Sequence, residues 1–256
     1  MFFAAKDVYP ACGVYTMGHL ISTLICFLSV ALFVFLLRKS NIERIYFVIR
    51  IFAIVLTALE LVKIFHNFYY GYTNIDSWVP LSFCSLFIYA CYLSGYGRGR
   101  LRMLGDSFMV IGGISAGLVF VCMPTTSLTM YPLFHFQSLY SLFFHSVMIA
   151  VGILLFKNGI RPTRRLFKYY VVYFVAFAAV ALIMNSTLGS NLMSLREPYK
   201  VPIEFLHVLQ KEMPFAFTAL GVAAHIIVPF CVMRVVDKIY FDFKNRREYK
   251  KITAEL

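Results

Sequence analysis

The sequence predicts an all-α integral membrane protein, a bundle of seven transmembrane helices. Of its 256 residues, 61% are hydrophobic and only 14% are charged, whereas a soluble domain carries about a quarter charged residues. The apolar residues form separate runs about 20 residues long, which is the length of helix that crosses a bilayer. The charges are clustered between these runs. Together these observations predict a polytopic membrane protein and exclude an ordinary soluble domain.

Each span is predicted from an apolar run and the polar residues that end it. The first run is too long for the core of a signal peptide, and Met1–Pro10 has no basic start, so we expect this run to remain as a spanning helix. The predicted spans are Val14–Leu37, Ile45–Phe68, Val79–Gly95, Ser107–Met123, Phe134–Phe156, Leu166–Leu188 and Phe215–Val236.

The loops predict the orientation of the bundle. The first, third and fifth loops and the C-terminal tail are rich in Lys and Arg, whereas the second loop (71–78) and the fourth (124–133) have neither. Because cytoplasmic loops carry the positive charge, the N-terminus is predicted outside and the C-terminus in the cytosol. We therefore predict a transmembrane domain over 1–240 and a basic cytosolic tail over 241–256.

The net charge of +12, from 24 Lys and Arg against 12 Asp and Glu, indicates lipid rather than nucleic acid as a partner. The basic residues flank apolar spans, where they orient the protein and meet anionic headgroups. No basic domain interleaved with aromatic residues is present to bind RNA or DNA. Membrane lipids are the predicted partners, and the oligomeric state is not predicted.

The sixth loop (189–214) is long, and its positive and negative charges balance. Its segment Pro202–Glu212 is predicted to form a short amphipathic helix at the membrane surface, with Ile203, Leu206 and Leu209 on one face. A loop of this length suggests a lid or a binding loop.

The six cysteines form no CxxC pair and no zinc-binding spacing, so no metal or cofactor is predicted. Cys12 and Cys122 both lie near the predicted outer surface. A disulfide between them in an oxidising compartment is left open by the sequence.

Polar residues inside the spans need partners, because a charge at a helix centre costs about 2.5 to 3.5 kcal/mol on insertion scales. Glu60, Lys63 and His66 follow one another at steps of three on the outer third of the second span. One interpretation is an internal Glu60–Lys63 ion pair with His66 at the headgroups. The other turns Glu60 toward the bundle interior, where it orients a second group.

Three other spans also carry a polar candidate in their outer half: Cys84, His145 and Asn185. Cys84 is a candidate nucleophile, although buried cysteines are most often inert. His145 shares one helix face with Ser141, and a hydrogen bond to a neighbouring helix is the competing interpretation. Convergence of these three residues with Glu60 predicts a site that opens toward the outer leaflet, whereas His19 and His225 are predicted to be structural.

The order and spacing of several motifs resemble a known family. Glu60 is followed by PLSFCSL, then YPLFHFQSLYSLFFHS, then N-x5-NLMSLREP. This pattern resembles the YwaF-like membrane proteins of bacteria and is similar to the eukaryotic transmembrane protein 164 group. The resemblance implies acyl transfer between lipids, with the Cys84 thiol taking the acyl chain and His145 assisting it. It also implies a bacterial cell membrane as the location.

These residues suggest a lipid acyltransferase in which Cys84 is the nucleophile, His145 the base and Glu60 the group that orients the imidazole. Hydrolysis of a lipid ester differs only in the acceptor, which would be water. A small-molecule transporter, a ligand-binding protein and a non-catalytic partner subunit remain alternatives. The residues predicted to contact the substrate are Asn185, Asn191, Lys63, His66 and Ser141.

Overall fold

The computed structural model describes residues 1–198 and 203–254, with side chains through residue 243, and this part of the chain is helical with no strand. The helices are α1 (Met17–Leu36), α2 (Ile42–Tyr69), α3 (Ile75–Trp78), α4 (Leu86–Tyr96), α5 (Arg100–Phe108), α6 (Ile114–Cys122), α7 (Phe136–Lys157), α8 (Arg164–Leu188), α9 (Glu204–Glu212) and α10 (Pro214–Ala254). A π-helical segment, Met109–Gly113, joins α5 to α6, and a 3-10 turn, Leu192–Ser194, follows α8.

Six helical segments in the described part are long and apolar enough to cross a membrane, and six of the predicted spans fall on them. The α5–π–α6 rod and α7 are the most buried segments, whereas the α10 span is mostly exposed. The core of the bundle therefore lies around α7 and this rod. The spanning segments are Met17–Leu36, Ile42–Tyr69, Arg100–Cys122, Phe136–Lys157, Arg164–Leu188 and Pro214–Phe243.

The predicted third span, Val79–Gly95, is not a continuous helix. Only Leu86–Tyr96 is helical, and residues 79–85 form turns and bends. Pro80 has no backbone N–H for a helix. The hydroxyls of Ser82 and Ser85 lie 2.7 Å apart, and the Ser82 hydroxyl also accepts the Ser85 backbone N–H. Such local bonds compete with helical ones and explain the delayed start of the helix.

The sixth loop contains the predicted short helix, here Glu204–Glu212, while Pro202 lies outside the described residues. Leu206 and Leu209 are half-buried, and Ile203 is exposed. In the turn after α8, Gly189 adopts the left-handed conformation (φ 68°) that ends the helix.

All six cysteines are free thiols in this structure, Cys12 and Cys122 included. Cys12 Sγ lies 3.5 Å from the Thr16 hydroxyl.

Close packing between α4 and α5 depends on Gly105. A Cβ at this position would lie 2.5 Å from the Ala90 carbonyl oxygen and 2.6 Å from the Ser94 backbone nitrogen. Because both contacts are backbone atoms, neither can move without displacing α4. Gly105 thus sets the distance between the two helices.

We predict that Gly105→Ala destabilises the protein by about 2 kcal/mol, since the methyl group forces α4 and α5 apart. The measurement is the apparent unfolding temperature of the detergent-solubilised protein. Gly221→Ala is the matched control, because its Cβ would meet only the movable Leu195 side chain at 3.2 Å. Equal unfolding temperatures for the two variants would contradict the packing described here.

Candidate functional site

Glu60 joins α2 to α7 inside the bundle. Its side chain is buried; one carboxylate oxygen lies 2.5 Å from Lys63 Nζ, and the other accepts the Tyr140 hydroxyl at 2.5 Å. The ion pair predicted from the spacing is therefore present. Both oxygens are engaged by Lys63 and Tyr140, and no described contact joins this carboxylate to His145.

His66 lies nearly two turns further along α2, in a buried polar network. Its Nε2 donates to the Ala4 carbonyl oxygen at 3.1 Å. Its Nδ1 lies 3.3 Å from Gln137 Nε2, which also donates to Asn67 Oδ1 at 3.1 Å. The network thus connects α2, α7 and the N-terminal segment of the chain.

His145 is buried against α6. Its ring stacks on Phe120, with centroids 3.6 Å apart, and its Nδ1 lies 2.7 Å from the Ser141 carbonyl oxygen. Since a carbonyl only accepts, Nδ1 carries the proton and Nε2 carries the lone pair. Nε2 is buried and has no hydrogen-bond partner among the described residues. Ser141 therefore orients the imidazole with its carbonyl rather than its hydroxyl.

Cys84 lies at the break between the non-helical residues 79–85 and α4, and it is half-buried against the main core. The ring of the preceding residue, Phe83, contacts Phe108, Phe174 and His225. Phe174 lies near the middle of α8. The break thus lies well inside the height of the surrounding spans, with a histidine of α10 against it.

The predicted trio of Cys84, His145 and Glu60 is not connected by any contact among the described residues. Cys84 packs against the main core, to which α2, α4, α5, α7 and α8 all contribute, whereas the His145 ring stacks on Phe120 of α6. Glu60 is paired within α2 and with α7. The structure places the three groups in one bundle but in separate surroundings.

Asn185 and Asn191 hold the loop after α8 in shape. Asn185 Oδ1 accepts the Ser190 hydroxyl and the Leu192 backbone N–H, each at 2.8 Å. Asn191 Oδ1 accepts two backbone N–H groups, and its Nδ2 donates to the Glu197 carbonyl oxygen at 3.0 Å. These bonds frame Met193 and Ser194, whose φ angles are 58° and 53°. In this structure both asparagines stabilise a strained turn.

A buried acid at the opposite end of the bundle was not predicted. Asp106 is fully buried; it accepts the Ser94 hydroxyl at 2.5 Å and the Tyr46 hydroxyl at 3.0 Å. The Arg102 guanidinium lies 4.2 Å from the centre of the Tyr46 ring. The available signal was the position of Asp106 immediately before the predicted span at Ser107. Because the predicted boundary places Asp106 in the loop, the sequence does not mark it as a buried polar residue.

Within the described part of the chain, no group of three His, Cys, Asp or Glu side chains is placed to hold a metal ion.

The six long apolar helices and their buried polar contacts define a polytopic helical membrane protein. The sequence model of the TMEM164 family matches residues 14–233, and the chain belongs to this family. The resemblance to the transmembrane protein 164 group is thus confirmed. No curated protein and no solved structure matches the chain.

We predict that Lys63→Met destabilises the protein by about 3 kcal/mol, because it leaves the buried Glu60 carboxylate without its counter-ion. Adding Glu60→Gln restores most of the loss by removing the uncompensated charge. Lys6→Met is the control: its pair with Asp7, 3.8 Å apart, is exposed, and we expect a change below about 0.5 kcal/mol. The stabilities are compared by chemical unfolding in detergent. A double variant that is less stable than Lys63→Met alone would contradict the buried Glu60–Lys63 ion pair.

Proposed function

We propose that the chain crosses the membrane seven times, with its N-terminus outside and its C-terminus in the cytosol. The N-terminal segment lies at the start of α7, where Phe136 N–H donates to the Phe2 carbonyl oxygen at 2.9 Å. The α10 span reaches the other end of α7, where Asp237 pairs with Arg161 at 2.5 Å. A chain that begins at one end of the bundle and leaves at the other makes an odd number of crossings, so six long helices need a seventh.

The segment between α2 and α5 supplies this crossing. At one end, Asn67 Nδ2 donates to the Ser77 carbonyl oxygen at 2.5 Å. At the other end, Arg50 Nε donates to the Gly95 carbonyl oxygen at 2.7 Å. Asn67 and Arg50 are 17 residues apart on α2 (67 − 50), which is about 25 Å of helix. This height supports a crossing made of residues 79–85 followed by α4.

The topology predicts opposite accessibility for Thr73 and Arg98, which flank this segment. With Cys12, Cys122 and Cys231 replaced by Ser, Thr73→Cys reacts with a membrane-impermeant maleimide added outside intact cells. Arg98→Cys reacts only after the membrane is permeabilised. Labelling of both positions from the same side would rule out the seventh crossing.

We propose further that the protein is a lipid acyltransferase in which Cys84 carries the acyl group. The observation that carries this proposal is the position of Cys84 at a helix break inside the membrane, next to the N-terminus of α4. The dipole at a helix N-terminus favours the thiolate of a nearby cysteine. The first N–H groups of α4 are themselves bonded within the turn, so this support comes from the dipole. The resemblance of PLSFCSL to the family motif supports the same residue.

The reaction requires two transfers and no other co-reactant. The Cys84 sulfur attacks the ester carbonyl of a donor lipid; the carbon–sulfur bond forms, the carbon–oxygen bond breaks, and the lipid alkoxide takes the proton of the thiol. A hydroxyl of an acceptor lipid then attacks the thioester. The new ester leaves, and the proton of that hydroxyl returns to the sulfur. Water as the acceptor would make the same site a hydrolase.

His145 is proposed as the proton acceptor, because its Nε2 lone pair is free while its Nδ1–H is held by the Ser141 carbonyl. A base acts by direct contact or through one water, and catalytic contacts often tighten only when substrate binds. The proposal therefore requires substrate or water to bridge Cys84 and His145. Glu60 is assigned a positioning role, because Lys63 and Tyr140 occupy its oxygens.

The test is acyl exchange between phospholipids by purified protein in nanodiscs, followed by lipid mass spectrometry. We predict that Cys84→Ala reduces exchange to background and that His145→Asn reduces it about 100-fold. Cys91→Ala is the matched control, because Cys91 is a buried thiol on α4, the helix that begins just after Cys84. Exchange that survives in Cys84→Ala would refute the proposal.

A ligand transporter is the second candidate, and the interrupted third crossing favours it. Helices broken at membrane depth form the binding sites of many transporters, with the N-terminus of the half-helix directed at the ligand. Such a protein would keep its activity in Cys84→Ser and lose it in Glu60→Gln. An acyltransferase would show the reverse order of sensitivity.

A further inference from the structure

The N-terminal segment Met1–Ala4 lies across the outer ends of α2 and α7, held by three consecutive carbonyl groups. The Phe2 oxygen accepts the Phe136 backbone N–H at 2.9 Å, and the Phe3 oxygen accepts the Tyr70 hydroxyl at 2.6 Å. The Ala4 oxygen accepts two imidazoles, from His66 at 3.1 Å and His135 at 3.0 Å. This segment is attached to both helices at once.

The hydrogen bonds around His135 require a neutral imidazole. Its Nδ1 accepts the Gln137 backbone N–H at 3.1 Å, and a backbone N–H can only donate. Its Nε2 faces the Ala4 carbonyl oxygen, which can only accept. One ring nitrogen must therefore be bare and the other protonated. A second proton would direct an N–H at the Gln137 N–H and remove the side-chain cap of α7.

The hydrogen bonds around His66 follow the same pattern as those around His135: Nδ1 accepts and Nε2 donates. The Ser77 carbonyl accepts from Asn67 Nδ2, so Asn67 presents its oxygen to Gln137 Nε2. Gln137 is thus the donor toward His66 Nδ1, and His66 donates through Nε2 to Ala4. The network contains a matched donor and acceptor at every described contact.

The surroundings of His135 do little to stabilise a positive charge on its imidazole ring. His135 is fully buried, its ring stacks on Tyr131 with centroids 4.3 Å apart, and the ring of His66 is 5.4 Å away. The amino end of the segment at Met1 opposes a second cation, as does His66 when charged. Asp7 acts on Tyr131, whose ring stacks on His135, and not on His135 itself. Burial is the main cause that lowers the pKa of His135 below its ordinary value.

We propose that Met1–Ala4 is a plug that closes the outer end of the α2–α7 seam while His135 is neutral and releases when His135 is protonated. Residues 12 and 13 stay attached, because Cys12 N–H donates to Tyr131 and Gly13 N–H to Leu128 through backbone bonds of 3.0 and 2.7 Å. The released part is thus the segment before Pro10. This inference does not depend on the acyltransferase assignment.

The seam under the plug leads to the Glu60 cluster. Phe136, which donates to the plug, stacks on Tyr140 one turn further along α7. The Tyr140 hydroxyl donates to Glu60. Release of the plug would therefore uncover the route from the outer surface to the buried carboxylate and its Lys63 partner.

The direction of the pH effect follows from the lowered pKa of His135. Above about pH 6.5, the ordinary histidine value, both the closed and the open states are neutral and closure is unaffected. As the pH falls below this value the open state takes up the proton more readily. Closure then weakens by up to about tenfold per pH unit, until the pH passes the lowered pKa.

The test is the electron paramagnetic resonance line shape of a nitroxide at Lys6→Cys, with Cys12, Cys122 and Cys231 replaced by Ser. We expect a restrained spectrum at pH 8 and a growing mobile component as the pH falls from 6.5 to 4.5. His135→Asn keeps an oxygen to cap α7 and cannot take up a proton in this range, so its spectrum should not change with pH. Circular dichroism at each pH confirms that the bundle stays folded.

His225→Gln is the matched control, because it removes a histidine distant from the plug and should leave the transition in place. A mobile component that grows equally in His135→Asn would overturn the proposal. So would a wild-type spectrum that does not change between pH 8 and 4.5. Because the readout is the motion of the segment, its failure would be separate from failure of the acyl-exchange assay.

Discussion

The structure depends on how the non-helical residues 79–85, which lie within the height of the surrounding spans, satisfy their backbone. Hydrocarbon offers no hydrogen bonds, so irregular backbone at this depth survives only where protein or a water-filled cavity surrounds it. Ser82 and Ser85 bond to each other, and the Tyr173 hydroxyl reaches across from α8 to the Leu86 carbonyl oxygen at 2.6 Å. Rings of α5, α8 and α10 surround Phe83 at the break.

Two buried acids hold the helices on either side of the break. At one end, Glu60 connects α2 to α7 through Tyr140. At the other end, Asp106 connects α5 to α4 through Ser94 and to α2 through Tyr46. The Asp106 contacts hold α4, which begins only after the break, against its two neighbours.

The six long helices were predictable because hydrophobic length is a strong local signal, and the Glu60–Lys63 pair because its spacing is helical. The break in Val79–Gly95 was not predictable, because the composition of this stretch is that of a continuous span. The effect of Pro80 and the two serines on the helix depends on what surrounds them. Asp106 was missed because it lies next to a predicted boundary. The asparagines act on groups only five to seven residues away, but through the backbone of an irregular turn. The Ala4 carbonyl accepts from His66 and His135, which are far from it in sequence. A pattern of side chains reveals neither.

The most direct measurement is the site of acylation. Protein incubated with a phospholipid and quenched in acid should carry a hydroxylamine-sensitive acyl group, and peptide mass spectrometry should place it on Cys84. The account predicts modification of Cys84 and none of Cys91, which lies on α4 beyond the break. An acyl group on another residue, or none on Cys84 while lipid exchange proceeds, would contradict it.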